Sequence, residues 1–357
     1  MLASFTMHHF FGKTYLFILE LVAFMLSFFK SITPLRDPKK ILITNGAHLG
    51  DLVNATTLCY EIKKADPNIM VGVLCGSWAK DVPLNHPSVN RVHIFDHWKH
   101  NRSNASFIKK IYQFIYTFWV SRREINREHY DIVIDTYCYY PNMSIPLYFT
   151  NIPIRMGFSS GGCGALYHVN HPVELPFEHH MLDYLKELVL SQLSLDLGWG
   201  GNPLIDNISN NYMAGDYVCI HPGSNNKLFS WDIQNWVSVI QYLSDQGKQV
   251  LITGFGDKDQ EIADAILTQC SNVKSFVNQL NWKEFVMMVK LADLVISVET
   301  VTAHIAALNN VNLVALYFGQ SQENFWRPYG SNVALLTPID AVTVQMVIEK
   351  VNEFNEE

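Results

Sequence analysis

Ile41-Leu42-Ile43-Thr44-Asn45-Gly46-Ala47-His48-Leu49-Gly50-Asp51 passes from an apolar run into a glycine turn and then into a helical pattern. A short apolar run bounded by a turn reads as a strand buried on both faces. Asp51 stands where the helix opens. In the second half of the chain the same succession returns. Leu294-Val295-Ile296-Ser297-Val298 leads into Glu299-Thr300-Val301-Thr302-Ala303-His304-Ile305-Ala306-Ala307. Two strand–turn–helix units, each with a carboxylate in its turn, predict an α/β chain of two Rossmann-like domains facing a central cleft. That is the layout of an enzyme moving a group from a nucleotide donor to a second substrate.

Outward from these motifs the alternation continues. Strands are expected at 41–44, 70–74, 92–95 and 130–135, with a helix over 51–65 that Asp66-Pro67 ends. Between the third and fourth strands Phe107, Ile108, Ile111, Phe114, Ile115 and Phe118 recur at helical spacing beside Lys109, Lys110, Arg122, Arg123 and Arg127. This reads either as a helix packed on the sheet or as a basic amphipathic helix touching a membrane. Residues 157–180 read as irregular, a helix follows near 181–195, and Gly198 to Pro203 reads as a linker. Further strands are expected at 217–221, 249–253, 273–276, 294–297 and 313–317, with helices starting near Trp231, Asp259, Asn281, Thr302 and Ala341. The expected domains are 1–39, an apolar helix with a basic linker, and two Rossmann-like domains, 40–200 and 201–357.

A chain of 357 residues accommodates two such domains, and 48% hydrophobic with 17% charged residues describes a globular protein. A net charge of −7 argues against a nucleic-acid partner. The six cysteines are scattered without a C-x-x-C pair, so neither a zinc site nor a disulfide frame is indicated, and a reducing compartment fits best. Residues 15–29 are apolar apart from Glu20 and Ser27. As a helix they extend ~22 Å, short of the ~30 Å hydrocarbon core of a bilayer. Lys13 precedes them, Lys30, Arg36, Lys39 and Lys40 follow, and no small-residue cleavage site is evident. Three readings stand: a helix in the membrane interface, a helix buried against the domain, and a spanning anchor.

Asp51 reads as a general base at the carboxyl edge of its strand, or as a carboxylate favouring the positive end of its helix. His221-Pro222-Gly223-Ser224-Asn225-Asn226-Lys227 gathers hydroxyl, amide and ammonium donors suited to a diphosphate; the alternative is an ordinary polar loop. Gly254-Phe255-Gly256-Asp257 reads equally as a plain turn. The helix after Glu299 offers free N–H groups to a phosphate, with hydroxyls from Thr300 and Thr302, or these residues merely cap it. His304 reads as a ligand contact or as a structural histidine. No cluster of metal ligands is visible, so no metal and no cofactor is expected.

Taken together these residues resemble the ADP-heptose–lipopolysaccharide heptosyltransferases, glycosyltransferase family 9. The resemblance rests on Gly46 to Asp51 with Glu61 to Pro67. It continues through His221 to Ser224, Lys227, Trp231, Trp236, Glu299-Thr300, His304 to Ala307, Phe318-Gly319 and Trp326-Arg327-Pro328. It implies a GT-B fold, with acceptor on the first domain and nucleotide-sugar on the second, and inverting, metal-independent transfer. Asp51 would be the base and Lys227 a phosphate contact. Ser224, Asn225, Glu299, Thr300, Thr302 and His304 would lie on the donor side, and Gly46, His48 and Gly50 in the acceptor loop. Where the family carries Asp-Ser/Thr-Gly, this chain has Glu299-Thr300-Val301; valine adds bulk where backbone would approach the donor and disfavours positive φ.

The function so implied is transfer of a heptose or related sugar from a nucleoside-diphosphate donor to a lipopolysaccharide-type glycolipid or glycan. The enzyme would be cytoplasmic and peripheral on the inner face of the bacterial inner membrane. Two alternatives share the fold: a nucleotide-binding scaffold that has lost turnover, and a sugar-nucleotide epimerase.

Overall fold

The computed structural model describes the chain except residues 1–9, 31–36, 102, 104, 161, 174–177, 200, 206–216, 225–229, 320–322 and 357; of residues 10–13 and 323 it describes the backbone alone. The chain divides into two compact units, Met1–Gly200 and Gly201–Glu357.

Unit 1 runs α1 (Phe10–Ser27), β1 (Lys40–Asn45), α2 (Leu49–Ala65), β2 (Met70–Cys75), α3 (Asp81–Leu84), β3 (Arg91–Ile94) and α4 (Phe107–Glu128). It continues β4 (Ile132–Asp135), α5 (Ser144–Tyr148), β5 (Ile154–Phe158), β6 (Val169–His171) and α6 (Met181–Leu190). Its six strands are parallel in the order β3-β2-β1-β4-β5-β6. Strands β1 and β4 are buried almost throughout, as helices on both faces of a parallel sheet require. Leu42, Leu74, Phe95 and Val133 form a core onto which Phe114 and Phe118 of α4 pack.

Unit 2 runs β7 (Tyr217–His221), α7 (Ile233–Asp245), β8 (Gln249–Ile252), α8 (Asp257–Leu267), β9 (Val273–Ser275) and α9 (Trp282–Lys290). It continues β10 (Leu294–Val298), α10 (Val301–Leu308), β11 (Asn312–Leu316), α11 (Glu323–Trp326), β12 (Val333–Leu336) and α12 (Val344–Glu356). Its strands are also all parallel, ordered β12-β11-β10-β7-β8-β9. Counted within each unit, both sheets have the doubly wound order 3-2-1-4-5-6, whose direction reverses between the first and fourth strands. Those switch points lie between β1 and β4, and between β7 and β10.

The structure corrects the expectation of an irregular 157–180, because β5 and β6 extend the first sheet there. Arg155 and Gly157 interrupt the apolar run of β5. Arg155 is nonetheless buried, donating from Nε to the Leu166 carbonyl and from Nη1 to that of Ile152. Edge strand β12 adds a sixth strand to the second sheet that the pattern does not announce.

α1 meets the reading of a helix packed against the domain, on one face. One face packs on unit 1, with Ala23 against Cys163 and Leu166, and Leu19 and Leu26 alongside. Glu20 faces the same way, its Oε1 accepting the Cys163 backbone N–H at 2.9 Å. Lys30 closes the far end by donating to the carbonyls of Ala165 and Tyr167. The other face leaves Phe17, Ile18, Leu21, Phe24 and Met25 at least half exposed, with Phe28 and Phe29 beyond the helix end more so. No helix among the described residues is long and apolar enough to cross a membrane, so the spanning reading is not met.

α4 likewise has two apolar faces. Phe114, Phe118 and Ile125 turn inward, while Ile108, Tyr112, Ile115, Tyr116 and Trp119 stand in solvent at spacings of three and four, with Phe107 at the helix start exposed as well. Phe107, Ile108 and Ile115, expected on one stripe with Phe114 and Phe118, are therefore on the outer side.

Candidate functional site

In unit 1 the turn after β1 and the segment after β4 meet at the switch point. Asn45 donates from Nδ2 to the Thr136 hydroxyl at 2.9 Å, and its Oδ1 accepts the Ala47 N–H. The Trp78 indole donates to the Ala47 carbonyl at 2.8 Å, bracing the loop from the β2 side. Gly46 stands at a close approach: a Cβ there would lie 2.5 Å from Met143 Cε and 3.0 Å from Asn142 Nδ2, so both side-chain ends would have to shift. Gly50 lies in the first turn of α2 and His48 is its N-cap. Asp51, three residues on, accepts the His48 backbone N–H on Oδ2 at 2.9 Å and remains partly exposed. The capping geometry is thus realised, at the end of a strand where open α/β sheets receive ligands.

Around Asp51 the fold collects rings that spacing alone did not single out. The His48 ring lies 5.9 Å from that of His100, which lies 5.6 Å from Tyr137 and 5.8 Å from Tyr140. His97 is 5.6 Å from both His100 and Tyr140, and the Lys99 ammonium sits 3.7 Å above the Tyr140 ring. Burial, with Lys99 adding to it, pushes the His97 imidazole down to about 4, so it is neutral at physiological pH. Asp135, at the end of β4, is pushed up to about 6 by burial, against hydrogen bonds from Tyr167, the Tyr137 backbone and Thr44. The available signals were His97-Trp98-Lys99-His100 after β3 and Tyr137-Cys138-Tyr139-Tyr140 after β4: polar rings just past strand ends. Flat amphipathic faces of this kind suit the apolar faces and hydroxyl edges of a sugar.

In unit 2 the loops after β7 and β10 meet at the corresponding place, since His221 pairs with Ser297 in register. His221 is buried; its Nδ1 lies 2.7 Å from the Thr302 hydroxyl and 3.2 Å from that of Thr253. Its Nε2 is 3.7 Å from Asp259 Oδ2, beyond a hydrogen bond, and burial lowers its pKa against that charge. Gly223 is required here because a Cβ would collide with the Asp259 carboxylate. Thr300 is the N-cap of α10, its hydroxyl 3.0 Å from that of Ser297. Glu299 beside it has its pKa raised by burial, opposed by the Phe318 backbone N–H that its carboxylate accepts.

Ser224 and Glu299-Thr300 thus follow the ends of two paired strands, and α10 opens directly after Thr300. Thr302 differs from expectation: fully buried, it joins the two loops through His221. His304 is also buried, one turn into α10. Val301 opens α10 with ordinary helical backbone and is not among the positive-φ residues, so only its bulk distinguishes it from glycine. Trp231 and Trp236 are core: the Trp231 indole donates to the Val342 carbonyl and the two rings meet edge-on at 5.2 Å. Asn225 and Lys227 lie outside the described residues. Among the described residues no group of three or more His, Cys, Asp or Glu is placed to hold a metal ion.

Comparison with known proteins bears on this geometry. A curated relative, lipopolysaccharide heptosyltransferase 3 of Escherichia coli, is 32% identical over 123 residues, 33% of this chain and 35% of the relative. The chain thus aligns with about a third of the curated relatives it matches. The solved E. coli heptosyltransferase WaaC with ADP superposes with a TM-score of 0.73 at 17% identity, over 88% of this chain and 99% of that one. The glycosyl transferase family 9 structure from Veillonella parvula gives 0.74 at 18%, over 91% and 100%. At such identity the likeness shows the fold, the GT-B type expected from the sequence. The profile of glycosyltransferase family 9 (heptosyltransferase) matches residues 119–341, well over half the chain, and the chain belongs to that family.

Proposed function

We propose that the protein is an inverting, metal-independent glycosyltransferase. It moves a heptose or related sugar from a nucleoside-diphosphate donor to a lipopolysaccharide-type glycolipid or glycan. The observation that carries this reading is that each unit places its motif loops at its own switch point, where doubly wound sheets bind ligands. The family and the printed names of its relatives support the donor and acceptor classes.

In this reading the Asp51 carboxylate takes the proton of the acceptor hydroxyl as that oxygen attacks the anomeric carbon and the bond to the diphosphate breaks. The α10 N-terminus, Ser224 and Lys227 meet the charge growing on the leaving diphosphate. Capping does not disqualify Asp51: the hydrogen bond to His48 orients the carboxylate, and its partial exposure gives an acceptor access. The ring cluster of His48, His100, Tyr137 and Tyr140 supports a glycan-binding first unit. The exposed apolar faces of α1 and α4 support peripheral association with the inner face of the bacterial inner membrane.

The test is a screen of ADP-, UDP- and GDP-sugars for nucleoside diphosphate released only when acceptor is present. Release in that assay, lost in Asp51→Asn, supports transfer. Interconversion of the donor without acceptor identifies an epimerase, and binding without either reaction identifies a scaffold.

A further inference from the structure

The turn after β8, Gly254-Phe255-Gly256-Asp257, holds Phe255 84% exposed, the most exposed of the large apolar side chains among the described residues. The exposure is not that of a slack loop. The Phe255 N–H donates to Asp259 Oδ2 at 2.9 Å and the Gly256 N–H to Asn278 Oδ1 at 2.7 Å. The Gly254 carbonyl accepts the Asn278 N–H at 3.2 Å, and Gly256, at φ +98°, turns the chain into α8. The backbone of the turn is therefore held on both sides while the phenyl ring stands out into solvent. Asp259 also ties this turn to its neighbour. Its carboxylate lies against the α-carbons of both Gly223 and Gly254, where a Cβ on either would crowd it. β7 and β8 pair in register up to Ile220 and Ile252, so Phe255 stands one strand, about 5 Å, from the loop after β7. Both loops lie at the carboxyl edge, where a doubly wound sheet receives its ligand.

We propose that Phe255 is the base-stacking residue of the donor site: its ring takes the face of the nucleobase while the loop after β7 takes the diphosphate. The inference rests on the reading of unit 2 as the nucleotide-sugar unit. The occupant follows from shape and place. A flat aromatic side chain left in water gains most from a flat partner, and every nucleobase has a π face. The step of one strand between the two loops is one that a ribose bridges. The turn is already ordered by Asp259 and Asn278, so placing the ring costs nothing further when the base arrives. Stacking ignores the hydrogen-bonding edge of the base, so Phe255 adds affinity for nucleotides without choosing among them.

The experiment titrates the full-length protein with ADP, UDP, GDP and methyl diphosphate, which carries the diphosphate ester without a base. The wild-type protein is expected to bind at least one of the nucleotides more tightly than methyl diphosphate. Phe255→Ala should weaken that nucleotide about tenfold, the scale of one base–aromatic stack, and leave methyl diphosphate unchanged. Its melting temperature should stay at the wild-type value, because the ring lies outside the core. Phe255→Trp should bind the nucleotide as tightly as wild type or more so, which a role in shaping the turn alone would not produce. Equal loss of nucleotide and methyl diphosphate in Phe255→Ala, or loss of neither, would overturn the stacking assignment while leaving the donor site standing. A wild-type protein that binds none of the three nucleotides more tightly than methyl diphosphate would overturn both this assignment and the reading of unit 2.

Discussion

Asp51 Oδ2 lies 2.9 Å from the backbone nitrogen of His48, so one carboxylate both starts α2 and stands at the switch point of the first sheet. Asparagine keeps an oxygen able to accept that N–H but cannot take a proton. Asp51→Asn should lower turnover by ~10²-fold or more with little change in melting temperature, and Asp51→Ala should also lose ~1 kcal/mol of stability. Thermal melts beside initial rates check this. Near-normal turnover in the asparagine variant would leave Asp51 only its cap.

Lys227→Ala should weaken nucleoside diphosphate more than free nucleoside, by about 1.5–3 kcal/mol, the worth of a charge-assisted contact. Calorimetric titration of both ligands decides it; equal losses would place the ammonium away from phosphate.

Val301→Gly tests the bulk at the mouth of α10. Removing the branched side chain should tighten donor binding or widen the range of nucleotide-sugars accepted, read as KM across a donor panel. Since Val301 has helical backbone, glycine should also cost about 1 kcal/mol of stability. A loss of stability with unchanged KM values would make Val301 a packing residue.

His97 gives a pH signature. Its folded pKa of about 4 lies below the ordinary 6.5, so the neutral ring belongs to the fold and protons prefer the unfolded chain. The contribution is fully present above pH 6.5 and lost as pH falls towards 4, roughly 3 kcal/mol across that window. In His97→Gln, urea unfolding should show a correspondingly shallower loss of stability on acidification. Parallel curves for the two proteins would contradict the assignment.

Phe17, Phe24 and Phe28 are 69%, 56% and 72% exposed, so replacing all three with serine removes apolar surface without opening the core. The triple variant should bind phosphatidylglycerol vesicles at least about tenfold more weakly while melting as wild type does, because each phenylalanine is worth up to 1.5–3 kcal/mol when buried in lipid. Unchanged flotation would remove α1 from the membrane contact. The point variants are a sharper instrument than deletion of 1–36, since α1 covers Cys163 and Leu166.

Nine of the twelve described strands were legible, most of them as apolar runs flanked by turn residues. β5 was not, since Arg155 and Gly157 break its run and the arginine is reconciled only by carbonyls that the fold brings to it. β6 is an edge strand with one apolar residue in three, and β12 is a four-residue apolar run at an edge of the second sheet, which the alternation did not single out. At the sites, loops adjoining a strand in sequence were legible, as with Gly46 to Asp51. What had to be folded to be seen was the approach of remote segments: Asn142 against Gly46, His100 against His48, and Thr302 turned towards His221. The α4 helix was legible as amphipathic, but not which side would face out, because both are apolar.

That same ambiguity besets α1, and there a single carboxylate resolves it. An apolar cylinder can roll about its axis without changing how much hydrocarbon it buries. Glu20 cannot follow such a roll, because the Cys163 N–H that its carboxylate accepts sits at one bearing only. The azimuth of the helix is thereby locked, and with it the direction in which Phe17, Ile18, Leu21, Phe24 and Met25 point. Glu20→Gln, which still accepts a hydrogen bond, would preserve the orientation; Glu20→Leu would free the helix to turn its phenylalanines inward, erasing the exposed face while making the segment more hydrophobic.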